Sequence, residues 1–325
     1  MTYNILMGAE HREREVTEVI ARCGADVIAL QEVTSLEFAR SVADQIGMTM
    51  VVGAPSDADS PLHNVILTRL PVVNWHNYRH PGRMLRSHLA VELAVNESSV
   101  APTVRVHCVH LAARVGEPSA AGMPRSREID TVLSDIDAMD DLPHIVLGDF
   151  NALAPGDIFG ATPFFRRMSE LRRAGLLHRG VDGRWHPVVR RGSDDADLDE
   201  RWRRVGLRPH MHISIPTLPT AALRLMRWAP SSHKLDVLLS RLIERRTVTQ
   251  MLAKGYVDCF RRLHPRREGY TCATWAPASR IDSVFASSDI APHLHDCDVL
   301  IPSAPTDQDA VAASDHWPLV AEFHF

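Results

Sequence analysis

The chain has no run of about 18 apolar residues of the kind a membrane-spanning helix needs, so no span is expected. It also lacks a basic stretch leading into an apolar segment and a small-residue cleavage site, which argues against a secretory leader. Cysteine is scarce. Cys23, Cys108, Cys259, Cys272 and Cys297 are scattered and form no Cys-x-x-Cys pair. An odd, dispersed set of this kind points to reduced thiols and a cytoplasmic protein. No Gly-x-x-x-x-Gly-Lys-Ser/Thr stretch supports a P-loop nucleotide hydrolase, and no Gly-x-Ser-x-Gly elbow supports a serine hydrolase. His210-Met211-His212 offers a ligand couple for zinc, but no His-Glu-x-x-His helix accompanies it, and a satisfied or surface pair is the simpler reading. Internal repeats and low-complexity tracts are absent.

What is present is the composition of an ordinary globular protein: 325 residues, 45% hydrophobic and 23% charged. The net charge of -4 hides an asymmetry. Residues 157–270 hold 23 Lys+Arg against 12 Asp+Glu, whereas the remainder holds 13 against 28. Arg166-Arg167, Arg172-Arg173, Arg190-Arg191, Arg203-Arg204, Arg245-Arg246, Arg261-Arg262 and Arg266-Arg267 concentrate the positive charge. A cationic section beside an acidic body fits an anionic partner or substrate, and it equally fits solvated helix faces neutralised by acids such as Asp194 to Glu200. Arg outnumbers Lys throughout, which genomic composition explains as well as phosphate binding does.

Hydrophobic periodicity predicts strands at 2–7, 27–30, 49–53, 64–68, 88–95, 103–110, 144–149, 281–286, 296–301 and 317–325. Helices are predicted near 11–23, 34–47 and 126–139, with further helical stretches at 164–177 and 234–254. Between 157 and 255 the strand rhythm breaks, and that section reads as a basic, partly helical insertion in a catalytic body spanning 1–325. Two strand-rich halves joined across such an excursion favour an α/β fold of two packed sheets with outer helices.

The chemistry gathers at strand ends. Gly148-Asp149-Phe150-Asn151 closes the apolar run Ile145-Val146-Leu147. On an extended backbone Asp149 and Asn151 would face one pocket while Phe150 anchors in the core. Oxygen ligands at a strand end suit a hard metal ion, although an Asx turn is the bland alternative. Asn4, Glu32 and His110 occupy comparable positions, each with an ordinary role open to it as turn residue, helix-start acid or satisfied histidine. Asp282 lies in the alternating segment Arg280-Ile281-Asp282-Ser283-Val284-Phe285, where an unpaired acid is costly. Asp315-His316 opens the last strand.

These segments together resemble the endonuclease/exonuclease/phosphatase superfamily of divalent-metal phosphoesterases. The resemblance rests on Thr2-Tyr3-Asn4-Ile5-Leu6, Asp26-Val27-Ile28-Ala29-Leu30-Gln31-Glu32-Val33, Val109-His110-Leu111, Gly148-Asp149-Phe150-Asn151, Arg280-Ile281-Asp282 and Ser314-Asp315-His316-Trp317-Pro318, in that order. It covers about 1–156 and 255–325. It implies a four-layer α/β sandwich of two packed mixed sheets flanked by helices. Asn4, Glu32 and Asp315 would hold Mg²⁺ or Mn²⁺. Asp149 and Asn151 would position the attacking water and the phosphate, with one ion or two left open. Asp282 and His316 would form a carboxylate–imidazole pair, and His110 would be the second histidine. Asn64 and Arg280, in family-like stretches, become candidates for substrate contact. Leu6 stands where some superfamily endonucleases carry an acid, which weakens the case for abasic-site cleavage. A nuclease-type phosphodiesterase is favoured over an enzyme acting on inositol phosphates or phospholipid headgroups, and over a non-catalytic anion-binding module. Trp185, Trp202, Trp228 and Trp275 are either base-stacking candidates or core.

Overall fold

A computed structural model describes residues 1–95, 102–113, 125–179, 185–188, 196–205, 207, 232–241, 243, 245–301 and 312–325. His210, His212, Arg190, Arg191 and Trp228 lie outside the described residues, as does the side chain of Trp185. Among the described residues, two six-stranded sheets carry the architecture. The first contains β1 (Thr2–Asn4), β2 (Val27–Val33), β3 (Thr49–Gly53), β4 (His63–Thr68), β13 (Leu294–Val299) and β14 (Leu319–Phe323), in the order β13-β14-β1-β2-β4-β3. The second contains β5 (Val72–Tyr78), β6 (His88–Ala94), β7 (Thr103–His110), β8 (His144–Asp149), β11 (Val257–Asp258) and β12 (Asp282–Ala286), in the order β11-β12-β8-β7-β6-β5. Both are mixed, with β1–β2 and β7–β8 parallel and the other pairs antiparallel. Each half of the chain contributes to each sheet, so the two halves close on one another.

The sheets pack face to face. Ala29, Val51 and Ile66 from the first meet Val106, Cys108, Leu147 and Val284 from the second, with Gln31 Nε2 donating to Cys108 Sγ across the interface, while Tyr3, Ile28, Leu30, Val65 and Leu67 line the outer face of the first sheet in the same buried cluster. Helix α1 (Glu13–Cys23) adds Val16, Val19 and Ile20 to this cluster, and α2 (Leu36–Ile46) adds Ala39, Val42 and Ala43, covering the first sheet. Both helices stop at a left-handed glycine, Gly24 and Gly47. Ser35 caps α2 by accepting from the Phe38 amide, so Glu32 is not the acid that starts this helix. Helix α3 (Arg125–Asp137) and helix α7 (Arg246–Ala253) cover the second sheet, placing Ile129, Val132, Val248 and Met251 against Val146, Phe150 and Phe285. The result is the four-layer α/β sandwich.

Residues 157–255 supply α4 (Ala161–Arg173), the hairpin β9–β10 (Leu177–Arg179 with Trp185–Pro187), α5 (Ala196–Arg204), α6 (His233–Ser240) and α7. Trp202 and Trp275 pack here with Phe164 and Leu171 and are 2% and 3% exposed, so neither offers a stacking face for a base. The positive charge of this section is partly spent internally, on Arg201–Asp197, Arg204–Glu200 and Arg167–Glu170.

Four expectations needed correction. β1 stops at Asn4, not at 7, because Leu6, Met7 and Ala9 take positive φ. The helix expected across 234–254 divides into α6 and α7, with the Arg245 guanidinium turned back to the carbonyls of Ala154 and Asp157 between them. β5 went unpredicted, since its exposed edge residues Val73, Asn74, Trp75 and His76 carry little periodic signal. β12 is buried at every position, not alternately, because Val284 and Ala286 face the inter-sheet core while Phe285 faces α3 and α7.

Gly148 decides how closely β7 and β8 approach. At its φ of 147°, an added Cβ would lie 1.8 Å from the Val109 carbonyl oxygen. Gly148→Ala is therefore expected to lower the urea midpoint far more than Gly156→Ala, where φ is 90° and a Cβ meets nothing within 4 Å. Equal shifts would contradict this account of the strand packing.

Candidate active site

Strand register brings distant residues side by side. β8 pairs with β7 in parallel, setting Asp149 beside His110. β8 also pairs with β12 antiparallel, setting Asp149 beside Asp282. His110, Asp149 and Asp282 thus form a row across three strands, each at most 2% exposed. In the opposing sheet β1 runs parallel to β2, matching Asn4 with Gln31 and leaving Glu32 just beyond. The β2–β4 register slips between Leu30 and Val33, and Glu32 sits in that irregularity at φ 61°. Such a bulge re-aims a side chain. A positive φ at a residue with a Cβ costs of order 1–3 kcal/mol, which the surrounding contacts must offset.

The two rows meet at one edge of the sandwich. Asn4 Nδ2 donates to Glu32 Oε1 at 3.1 Å and to Asp149 Oδ2 at 3.0 Å. His110 Nε2 lies 3.8 Å from Glu32 Oε1 and 3.6 Å from Asp149 Oδ2. His316 Nδ1 is bonded to Asp282 Oδ2 at 2.8 Å, which turns Nε2 to within 3.9 Å of both Asp149 Oδ2 and Asp315 Oδ1. Ser314 Oγ donates to the Asn4 carbonyl at 2.7 Å and accepts from the His316 amide, tying this segment to β1. Glu32 accepts from the Met7 amide at 2.9 Å.

The structure therefore brings together Asn4, Glu32, His110, Asp149, Asp282, Asp315 and His316. Asn4 enters differently from the expectation of a metal ligand. Its carboxamide oxygen accepts from the Leu6 amide at 2.9 Å, so its nitrogen faces the carboxylates. It acts as a tie between Glu32 and Asp149. Asn151 follows the strand at φ 49° and not in extended form. Its amide donates to Asp149 Oδ1, and its side chain donates to the Leu111 carbonyl, so an Asx turn coexists with the site. Phe150 is fully buried against Phe285.

The two candidates for substrate contact are both buried and held by bonds within the protein. Arg280 is 1% exposed, its guanidinium bonded to Asp157 at 3.1 Å and to Asp258 at 2.7 Å, and it lies over the Phe260 ring. It is a structural ion pair and presents no free face to a substrate. Asn64 is buried on β4 and donates to the Ser87 carbonyl at 2.7 Å.

Several contributors had escaped the sequence reading. Arg12 is 6% exposed and donates to the carbonyls of Ile5, Leu6 and Ala313, linking the loop after β1 to the segment before Asp315. Thr271 Oγ1 accepts from the amides of Ile281 and Asp282. Cys272 lies in a bridge with His316 and shares a potential ligand cluster with Asp315 and His316. Nothing in the sequence marks it.

Electrostatics separates the groups. Burial and the nearby Asp282 push Asp149 up to about 7. Burial pushes Asp315 up to about 6. Burial, with Arg86 and His316 nearby, holds His110 well below the usual imidazole range, so His110 is neutral. Burial also opposes charge on His316, but Asp282 and Cys272 outweigh it and raise His316 well above that range, favouring its protonated form. The oxygens Asp282 Oδ1 and Asp315 Oδ1 are buried with no hydrogen-bond partner. One ligand atom each from Asp149, Asp282 and His316 lie within 4.8 Å of one another. A crowd of buried, under-satisfied carboxylate oxygens fits a hard divalent cation.

A family model described as "Endonuclease/Exonuclease/phosphatase family" matches residues 1–316. No curated protein matches the chain. Among solved structures, it is similar to an AP endonuclease from Archaeoglobus fulgidus, with 14% identity, TM-score 0.60, and coverage of 100% of this chain and 98% of that one. It is similar to the 3′ phosphatase NExo from Neisseria bound to product DNA hairpin, with 16% identity, TM-score 0.54, and coverage of 100% and 98%. It is also similar to TDP2 from D. rerio complexed with single strand DNA product, with 14% identity, TM-score 0.54, and coverage of 100% and 97%. At these identities the likeness is one of fold.

The Arg280 geometry has a direct consequence. Arg280→Ala leaves buried carboxylates without their partner and is expected to cost about 3–5 kcal/mol of stability in chemical denaturation. A variant with wild-type stability and only weakened substrate binding would return Arg280 to the substrate.

Proposed function

The chain belongs to the endonuclease/exonuclease/phosphatase family, and on that premise we propose that it is a Mg²⁺- or Mn²⁺-dependent phosphoester hydrolase of the nuclease-type phosphodiesterase kind. The observation that carries this reading is the convergence of Glu32, Asp149, Asp282 and Asp315 with His110 and His316 at one edge of the two sheets. A site of this composition has little use in a pure binder of anions, because unneutralised carboxylates repel them.

Glu32 and Asp315 would hold the cation, with the Asp149/Asp282 pair close enough to share it. When bound, the ion neutralises non-bridging phosphate oxygens and stabilises the departing alkoxide. The protein's own groups do the rest. Asn4 keeps Glu32 and Asp149 at a fixed separation. Asp149 orients the attacking water in line with the scissile bond and accepts its proton. Asp282 holds His316 by Nδ1, so its Nε2–H points inward and donates to a phosphoryl oxygen as charge develops. His110, neutral, donates a hydrogen bond to the phosphate or the leaving oxygen. Water attacks phosphorus as Asp149 takes its proton, the phosphorus–oxygen ester bond breaks, and the leaving alkoxide takes a proton from solvent while Asp149 returns its own to solvent. The DNA-bound relatives NExo and TDP2 support nucleic acid as the substrate class.

Asp149→Asn and His316→Ala are each expected to lower Mg²⁺-dependent phosphodiester hydrolysis by about 10²–10⁴. Asp149→Asn should keep a thermal midpoint near wild type, whereas His316→Ala should keep the wild-type circular dichroism but lose stability, because it leaves buried Asp282 without its partner. EDTA is expected to abolish turnover and Mg²⁺ to restore it. Wild-type rates in both variants would refute the assignment. The substrate is read from a side-by-side panel of duplex DNA, single-stranded DNA, RNA, inositol phosphates and sphingomyelin.

The charge asymmetry generates a separate expectation. Cleavage of a polyanion should fall steeply between low and moderate salt, while a small chromogenic phosphodiester responds far less. Parallel salt curves for the two would remove the steering role of the basic section.

A further inference from the structure

We propose a second metal site, for Zn²⁺ or a similar transition-metal ion, on the β13–β14 ladder, built from His295, Glu322 and His324. It stands independently of the phosphoesterase reading. One ligand atom from each of the three side chains lies within 4.8 Å of the others, and all three residues are exposed.

The local backbone explains the convergence. Glu322 and His324 are two residues apart at the end of β14, so they share a face. His324 continues the ladder beyond the strand, its amide donating to the His293 carbonyl at 2.9 Å and its carbonyl bonded to His293 Nδ1 at 3.0 Å. The opposite strand slips register: Asp296 pairs with Glu322 but Leu294 pairs with Phe323, leaving His295 as the extra residue of a bulge. In regular alternation His295 would point away from the Asp296 side. The bulge turns it onto the face of Glu322 and His324, where its ring stacks on His324 with centroids 4.1 Å apart. His324 Nε2 meets Glu322 Oε1 at 2.6 Å.

Two imidazoles and one carboxylate are a donor set for a borderline ion, not for Mg²⁺, which prefers oxygen ligands. Zinc takes such donors at about 2.0–2.2 Å, so rotamer adjustments of exposed side chains complete the shell, with water in the fourth position. The separation from the catalytic groups is large. Glu322 lies six residues beyond His316 along extended chain, about 20 Å at about 3.3 Å per residue. The bound ion would clasp β13 to β14 at the rim of the first sheet and favour the folded state by mass action.

The test is calorimetric titration of ZnCl₂ into the full chain with saturating Mg²⁺ present, for wild type and for the His295→Ala/His324→Ala double variant. The variant is expected to bind one Zn²⁺ equivalent fewer and to lose the zinc-dependent rise in thermal midpoint. Its unliganded midpoint should match wild type, because the residues are exposed. Glu322→Gln provides a second variant with the same expected direction. Any zinc bound among the catalytic groups appears equally in all three proteins, and phosphodiester turnover in Mg²⁺ should be unchanged. Equal stoichiometry and equal thermal shifts in wild type and variants would overturn the site.

Discussion

Burial of several carboxylates at one point is the constraint around which this molecule is arranged. Asp149, Asp282 and Asp315 are each at most 4% exposed and converge on a single imidazole. Like charges so placed repel, and each loses its hydration. Compensation comes from within: the His316 imidazole, the Asn4 amide and the Ser314 and Thr271 hydroxyls, which hold the segments the acids ride on. The remaining deficit, written in two unpartnered oxygens, is what a divalent cation satisfies.

The sandwich meets this constraint through register. Only when β8 lies between β7 and β12, in the pairing observed, do His110, Asp149 and Asp282 stand in one row. A slip of one residue would turn Asp149 to the opposite face of its sheet. Gly148 permits the close contact with Val109 that holds β8 in place. The first sheet answers with Glu32, aimed by its irregularity, and Arg12 joins the loop after β1 to the segment preceding Asp315. The positive section contributes β11 to the edge of the second sheet, beside β12. Several of its arginines are committed to neighbouring acids, and its tryptophans Trp202 and Trp275 are core.

Much of the architecture was legible because burial imposes period. β3, β7 and β8 run where alternation and apolar runs placed them, and α1 and α2 end at the glycines that mark them. β5, an exposed edge, lacks that signature and was not legible, whereas β12 was placed at 281–286 although, buried on both faces, it does not alternate. The site was legible as a set of residue types at strand ends. Arg280 misled, because an arginine in a family-like stretch reads alike whether it faces a phosphate or two buried aspartates. Cys272 and Arg12 carried no signal, since their importance lies in what they touch.

The amino-acid order alone determined that strands would end in oxygen and imidazole side chains, because those residues sit at fixed offsets from apolar runs that must be buried. It could not determine which of these ends would meet. Asn4 and Asp149 are 145 positions apart, and Ser314 and Asn4 are 310 apart, yet each pair is joined by one hydrogen bond. Convergence of that kind depends on strand order, register and the packing of one sheet on another. These are properties of the assembled sandwich, since long-range pairing is selected by the summed burial of both sheets and not by any local preference.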